Sequence, residues 1–225
     1  VLDMMLPTHE ASLRWTPLFA AAERLANARS LDDVVEVVRT AARSIAGAQG
    51  ITVVFGEGDE CVYVAEDAIE PLWAGQRFPR SSCVSGWVMI HGEPAIIPDI
   101  SADPRVPYHL YKATFVRSMV MMPVDTGSQP MAIGAYWAEA DAPDQLSIEM
   151  LGQLARLVGA AVRNVSLQTS FEIVNRMGAA VAAEQNLDII VQTITDAAVE
   201  LTGAEFGAFF YNLVDQNGES YMLYS

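Results

Sequence analysis

The spacing of hydrophobic positions changes several times along this chain, and the changes mark its elements. Leu31, Val34, Val35, Val38, Ala42 and Ile45 recur at helical spacing. Ser30 is placed to cap that helix, Asp32 and Asp33 favour its first turn, and Gly47 is placed to end it. A helix is therefore predicted over residues 31–46, with another before it over 18–28. The period then shortens to that of strands. Residues 51–55 and 61–65 flank the turn 56–59 and read as a hairpin. Residues 71–79 are irregular, with Trp73 and Phe78 as their apolar anchors.

Residues 78–137 organise the rest. They open with a short amphipathic segment, 84–91, and an apolar run, 95–98. A polar turn, 99–105, and an aromatic segment, 108–111, lead into two strands, 115–124 and 131–138. Both strands are apolar at successive positions, whereas a sheet with one wet face alternates. Both faces must then be covered. Helices supply one cover. The other is expected from the connection between Phe78 and Arg117, where a ligand cavity would form.

From Pro143 the pattern is helical, with an apolar stripe that includes Leu146, Met150, Leu151, Leu154, Leu157, Val158, Ala161, Val162 and Val165. It continues through Leu167, Phe171, Val174, Gly178 and Val181 at alternating spacings of four and three, the seam of a coiled coil with a phase slip near 165–167. Leu167, Phe171, Val174 and Val181 are the candidates for a helix–helix contact between two copies of the chain.

The chain also repeats itself. Leu31 and Asp32 match Leu187 and Asp188, and Gly47 and Ala48 match Gly203 and Ala204, all at an offset of 156. Residues 51–55 then fall on 207–211, and Tyr63 meets Tyr221 once two residues are inserted. The period is a domain length. The layout expected is an N-terminal extension at 1–14, a first domain at 15–168, a long joining helix at 143–185 and the truncated start of a second copy at 171–225. The chain opens on Val1 without an initiator Met and is expected to be a piece of a longer protein.

Composition narrows the function classes. A formal charge of −15 with Lys112 as the only lysine repels phosphate backbones and argues against nucleic-acid binding. No window approaches the ~18 uninterrupted apolar residues of a membrane helix, and residues 1–16 lack the basic lead of a secretory signal. A cytoplasmic module without membrane insertion is expected. Cys61 and Cys83 are too few for a disulfide framework or a zinc site and read as buried core residues.

The run Val84, Ser85, Gly86, Trp87, Val88, followed by Gly92, Glu93, Pro94, by Ile97, Pro98, Asp99, Ile100 and by Asp103, Pro104, Arg105, resembles a GAF domain. Phe115, Val116, Arg117, Ser118 and Met119, leading into Pro123 and Val124, complete the resemblance. It is nearest to the GAF domains in sensory regions of bacterial histidine kinases and covers residues 15–168, with the start of a tandem copy behind it. The resemblance implies an α+β fold: a central antiparallel sheet of five or six strands with helices on both sides, followed by a long linker helix. It implies a non-catalytic sensory module that takes a small molecule, dimerises through helices and passes its signal to a kinase or other effector in the same polypeptide.

Particular ligands are argued against. Covalent bilin attachment in such domains uses a cysteine beside a histidine, and the segment around His109 has none. Haem-binding relatives place a histidine shortly before the strand entry, and His109 lies eight residues before Arg117, too far for that place, although one axial histidine would suffice chemically. The residue set of cyclic-nucleotide-binding members is absent, so the cofactor is unknown. The alternatives are a ligand-free dimerisation and spacer domain, and a free methionine sulfoxide reductase-like enzyme, which would need a resolving thiol beside Cys83. Candidate pocket residues are Trp87, Tyr108, His109, Tyr111, Arg117 and Trp137. The aromatics among them line a pocket or fill a core. Arg117 either holds an anion or pins the preceding loop. Asp99 and Asp103 form a metal pair or, on turn chemistry, close a turn.

Overall fold

The computed structural model describes residues 9–215 and 218–224, with side chains over 15–210. The chain divides into two units, residues 1–165 and 166–225. In the first, α1 (His9–Ala26) and α2 (Leu31–Ala46) precede the strands β1 (Gly50–Glu57), β2 (Glu60–Ala68) and β3 (Arg77–Pro79). Then come α3 (Val84–His91), β4 (Ala95–Ile97), α4 (Tyr108–Tyr111), β5 (Ser118–Val124) and β6 (Met131–Trp137). The helix α5 spans Gln145–Ala183. In the second unit α6 (Leu187–Thr202) is followed by a hairpin of β7 (Phe209–Asp215) and β8 (Gly218–Tyr224).

The predicted bounds of α2 agree with those observed. Ser30 Oγ accepts from the Asp33 N–H at 3.1 Å while the Asp33 carboxylate accepts from the Ser30 N–H at 3.0 Å, so the capping box holds both ends of the first turn. Gly47 closes the helix in the left-handed region at φ 64. By contrast, α1 begins at His9, inside the stretch expected to be an extension, and residues 1–8 of that stretch lie outside the described residues.

The sheet is six-stranded and antiparallel, in the order β3-β2-β1-β6-β5-β4. Its two faces bury separate cores, which is why its strands lack alternation. On one face Ile51, Val53, Ile133, Ala135 and Trp137 meet α1, α2 and the first half of α5 through Leu18, Val38, Ile45, Leu151, Leu154 and Val158. On the other, Val54, Met119, Met121, Ala132 and Tyr136 lie under α3, α4 and the loop 99–107, together with Leu72 and Trp73 from the β2–β3 connection. That connection contributes to the second cover in addition to the segment after Phe78.

One irregularity decides which side chains reach the second core. Along β1 and β2, Val53 pairs with Ala65 but Val54 pairs with Tyr63, so Val64 is an extra residue opposite no partner, a β-bulge. Strict alternation would put Cys61, Tyr63 and Ala65 on one face. The bulge leaves Ala65 with the helices and turns Tyr63 and Cys61 to the opposite core.

The second unit repeats the first locally. The bounds of α6 are those of α2 advanced by 156, and Gly203 ends α6 in the left-handed region at φ 66, as Gly47 ends α2. A hairpin follows in both. Among the described residues, no helix is long and apolar enough to cross a membrane.

Candidate functional site

The centre of the second face is floored by Thr52 of β1 and its partner Gly134 of β6. With no side chain at Gly134, the ring of Tyr136 lies across the sheet and its hydroxyl meets Thr52 Oγ1 at 2.9 Å. Trp73 packs edge-on against Tyr136 and Tyr111, with ring centroids 5.4 and 4.7 Å apart. Tyr63 completes the group, 5.9 Å from Trp73 and 5.5 Å from Phe78. Burial pushes the Tyr63, Tyr111 and Tyr136 phenols above their ordinary range, so all three are neutral. The Tyr63 hydroxyl bonds Ser85 Oγ at 3.0 Å.

Two anchors hold this cluster. The Glu66 carboxylate accepts from the backbone N–H groups of Leu72, Trp73 and Ala74 at 3.1, 2.8 and 2.9 Å, which fixes the loop that delivers Trp73. Gly86 allows the first turn of α3 to lie against the Arg80 carbonyl, where a Cβ would collide with the backbone. Cys83 caps α3, its Sγ accepting from the Gly86 N–H at 3.4 Å and lying 3.2 Å from Ser85 Oγ.

The expected aromatic wall is only partly the one found. Tyr111 is buried within it. Trp137 is not: one residue beyond Tyr136 on β6, it faces the helices instead and donates from Nε1 to the Gly47 carbonyl at 3.0 Å. Trp87 sits on the flank of α3, stacked on His91 at 4.4 Å with the Arg105 guanidinium 4.8 Å from its centroid. Tyr108 and His109 are exposed on α4. Arg117 donates to the carbonyls of Thr114 and Val116 at 3.0 and 2.7 Å, the loop-pinning geometry. Asp99 accepts from the Ser101 backbone and hydroxyl, and Asp103 holds Arg105 at 2.6 Å. Both carboxylates close turns, and no cluster of three or more metal-binding side chains exists among the described residues.

Tyr63, Trp73 and Tyr136 thus take places expected of other aromatics. The signal in the sequence for Tyr136 was the glycine at 134 opposite Thr52, a pairing that only the β1–β6 register exposes. An open groove of about 630 Å³ lies elsewhere, between α1 and α2, lined by Glu23, Arg24, Asn27 and Asp33.

A GAF domain sequence profile matches residues 28–163, more than half of the chain. A search of curated protein sequences returns no match. Solved structures with this fold include the free methionine-R-sulfoxide reductase of Neisseria meningitidis, 19% identical with a TM-score of 0.60 over 73% of this chain and 96% of that one. The GAF domain of a phosphoenolpyruvate-protein phosphotransferase from Coxiella burnetii is 15% identical, TM-score 0.60, over 71% and 98%. A bacteriophytochrome from the photosynthetic bacterium R. palustris aligns with all of this chain and 51% of its own, at 17% identity and a TM-score of 0.62.

Proposed function

This chain belongs to the GAF domain family, and on that premise we propose that it is the signal-input part of a larger signalling protein, relaying a change of state along α5 to an effector, a histidine kinase by resemblance. The observation that carries the reading is the change in exposure along α5. Met150, Leu151, Leu154 and Val158 are buried, but Leu167, Phe171 and Val174 are 70, 67 and 46% exposed. Large apolar side chains at coiled-coil spacing fit a second copy of the same helix. A shift in the register or packing of that helical pair would be the output. Within the second unit, Ile173, Met177 and Ala180 instead line a groove with Thr193 and Ala197 of α6. Two faces of the helix therefore have two uses. The repeat of α2 and its hairpin in α6, β7 and β8 supports reading the second unit as the start of a tandem GAF domain.

Sedimentation of the purified chain tests the relay. A dimer that Phe171→Glu with Val174→Glu converts to a folded monomer is the expected result. A wild-type chain that stays monomeric at high concentration overturns it.

The second reading is a domain that binds no small molecule and serves for dimerisation and spacing. The ring-on-ring packing of Tyr63, Trp73, Tyr111 and Tyr136 over Thr52 and Gly134 favours it. Native mass spectrometry separates the two: a small molecule carried through purification supports a ligand, and a bare chain supports the spacer.

A further inference from the structure

The seam on α5 begins earlier than its large apolar residues suggest. Carried back from Phe171 and Leu167 at the same alternating spacings of four and three, it reaches Asn164, Ala160 and Leu157. In the first unit, Leu154, Val158, Ala161 and Val165 are buried in the domain's own core. Ala160 and Asn164 lie off that face and are exposed, and Leu157 is half-buried at its margin. Two stripes thus run along α5 out of phase. One ends at Val165 in the core, and the other passes through Asn164, which accounts for the slip in the hydrophobic pattern at 165–167. From Leu157 to Val181 the second stripe is apolar or glycine at every position except Asn164.

We propose, resting on the α5 pairing put forward above, that Asn164 sets the orientation and register of the pair: its side-chain amide hydrogen-bonds that of Asn164 in a second copy and holds the two helices parallel and in step. In a parallel coiled coil each seam layer faces the same layer of the other copy, so amide meets amide, each with a donor and an acceptor to offer. Antiparallel helices instead set a layer of one phase against a layer of the other. Asn164 would then face Ala160, Leu167 or Val174. A parallel pair slipped by one heptad would set it against Leu157 or Phe171. None of these side chains hydrogen-bonds, and an amide buried without a partner is costly. A single polar position therefore disfavours every arrangement but one.

Charge points to the same occupant. In a chain of net charge −15, α5 carries Arg156, Arg163 and Arg176 against Glu149 and Glu172, and no acidic residue falls between Leu157 and Phe171. Two copies can approach along this stretch without bringing acid against acid. Arg163, the neighbour of Asn164, turns to its own domain, its guanidinium 3.2 Å from the Asp125 carboxylate.

Sedimentation and disulfide trapping of the full chain test the assignment. Leu167→Cys puts a thiol one layer from Asn164, where a parallel pair in step sets it against its own counterpart. In a glutathione redox buffer the two introduced thiols should join, with peptide mass mapping to separate that bond from any at Cys61 or Cys83. Adding Asn164→Val should tighten association by about tenfold, because two buried amides are removed. It should also lower the yield of the trapped disulfide, because an all-apolar seam admits slipped and antiparallel pairs. Asn164 is exposed in the single chain, so the valine should leave the fold unchanged. Where Leu167→Cys itself weakens the pair, Ala160→Cys in the same phase of the seam gives the same reading. A wild-type chain that sediments as a monomer overturns the pairing and the role of Asn164 together. A wild-type dimer that Asn164→Val leaves unaltered in affinity and disulfide yield, or one in which neither introduced thiol is trapped, overturns the role of Asn164 alone.

Discussion

The phenol of Tyr136 occupies the space above Gly134: a Cβ built on that glycine would lie 2.5 Å from the Tyr136 hydroxyl oxygen and 2.8 Å from Thr52 Oγ1. A buried pair of hydroxyls and a missing side chain are thus one feature. Gly134→Ala should displace the ring and destabilise the domain by about 1–3 kcal/mol, the usual cost of overpacking. Urea unfolding followed by circular dichroism measures it.

The same contact can be approached from its polar side. Tyr136→Phe leaves the Thr52 hydroxyl buried without its partner, at a cost of roughly 1–3 kcal/mol. Thr52→Val added to Tyr136→Phe should recover part of that loss, since no orphaned hydroxyl remains. A double-mutant cycle with additive losses would show that the 2.9 Å contact is energetically idle.

Glu66 should matter more than a half-buried strand residue usually does. Its three backbone acceptor bonds hold residues 72–74, and hydrogen bonds to a charged group contribute about 1.5–3 kcal/mol each. Glu66→Ala should release the loop, expose Trp73 and shift tryptophan emission to longer wavelength. Emission unchanged from wild type would show that ring packing alone retains Trp73.

Asp103 and Arg105 provide a pH signature. The Arg105 guanidinium holds the Asp103 carboxyl below its ordinary 3.8. A depressed carboxyl adds stability above its unfolded pKa and loses it as pH falls through the lower folded value. Arg105→Gln should return the Asp103 titration, followed by NMR, toward 3.8 and weaken the domain near neutral pH. It should leave the unfolding midpoint in strong acid unchanged.

The bulge predicts a contrast between substitution and deletion. Val64 is 41% exposed, so Val64→Thr should change stability by no more than about 0.5 kcal/mol. Deleting Val64 should put Tyr63 and Cys61 on the wrong face and abolish cooperative unfolding. A deletion variant that melts like wild type would show that β2 restores its register by slipping elsewhere.

Much of the architecture was legible because the cues were local. Ser30, Asp33 and Gly47 mark α2 at both ends, and the unbroken apolar runs in β5 and β6 announce a sheet covered on both faces. What escaped was parity and register. Cys61, Tyr63 and Ala65 look alike in alternation, and nothing in their composition signals the extra residue at 64 that separates them. Trp137 reads as readily toward a pocket as Tyr136 does, and only the strand's facing distinguishes them. Glu66 carries a charge near the end of a strand, where most such residues are solvated. Its bonds to a loop six to eight residues away have no spacing rule to reveal them. The packing of Tyr63 against Trp73 likewise depends on the bulge and on the loop that Glu66 holds acting together.

If facing is set by counting, β2 is a strand in which length carries more information than composition. A chain with the same residues but one fewer between the β1–β2 turn and Ala65 would keep its tyrosine and lose its meeting with Ser85 and Trp73. Such a chain would align here without mismatch except for one gap. Comparison of GAF domains for this aromatic cluster, or grafting it into another member, should therefore begin from an insertion count along β2 instead of a search for matching tyrosines.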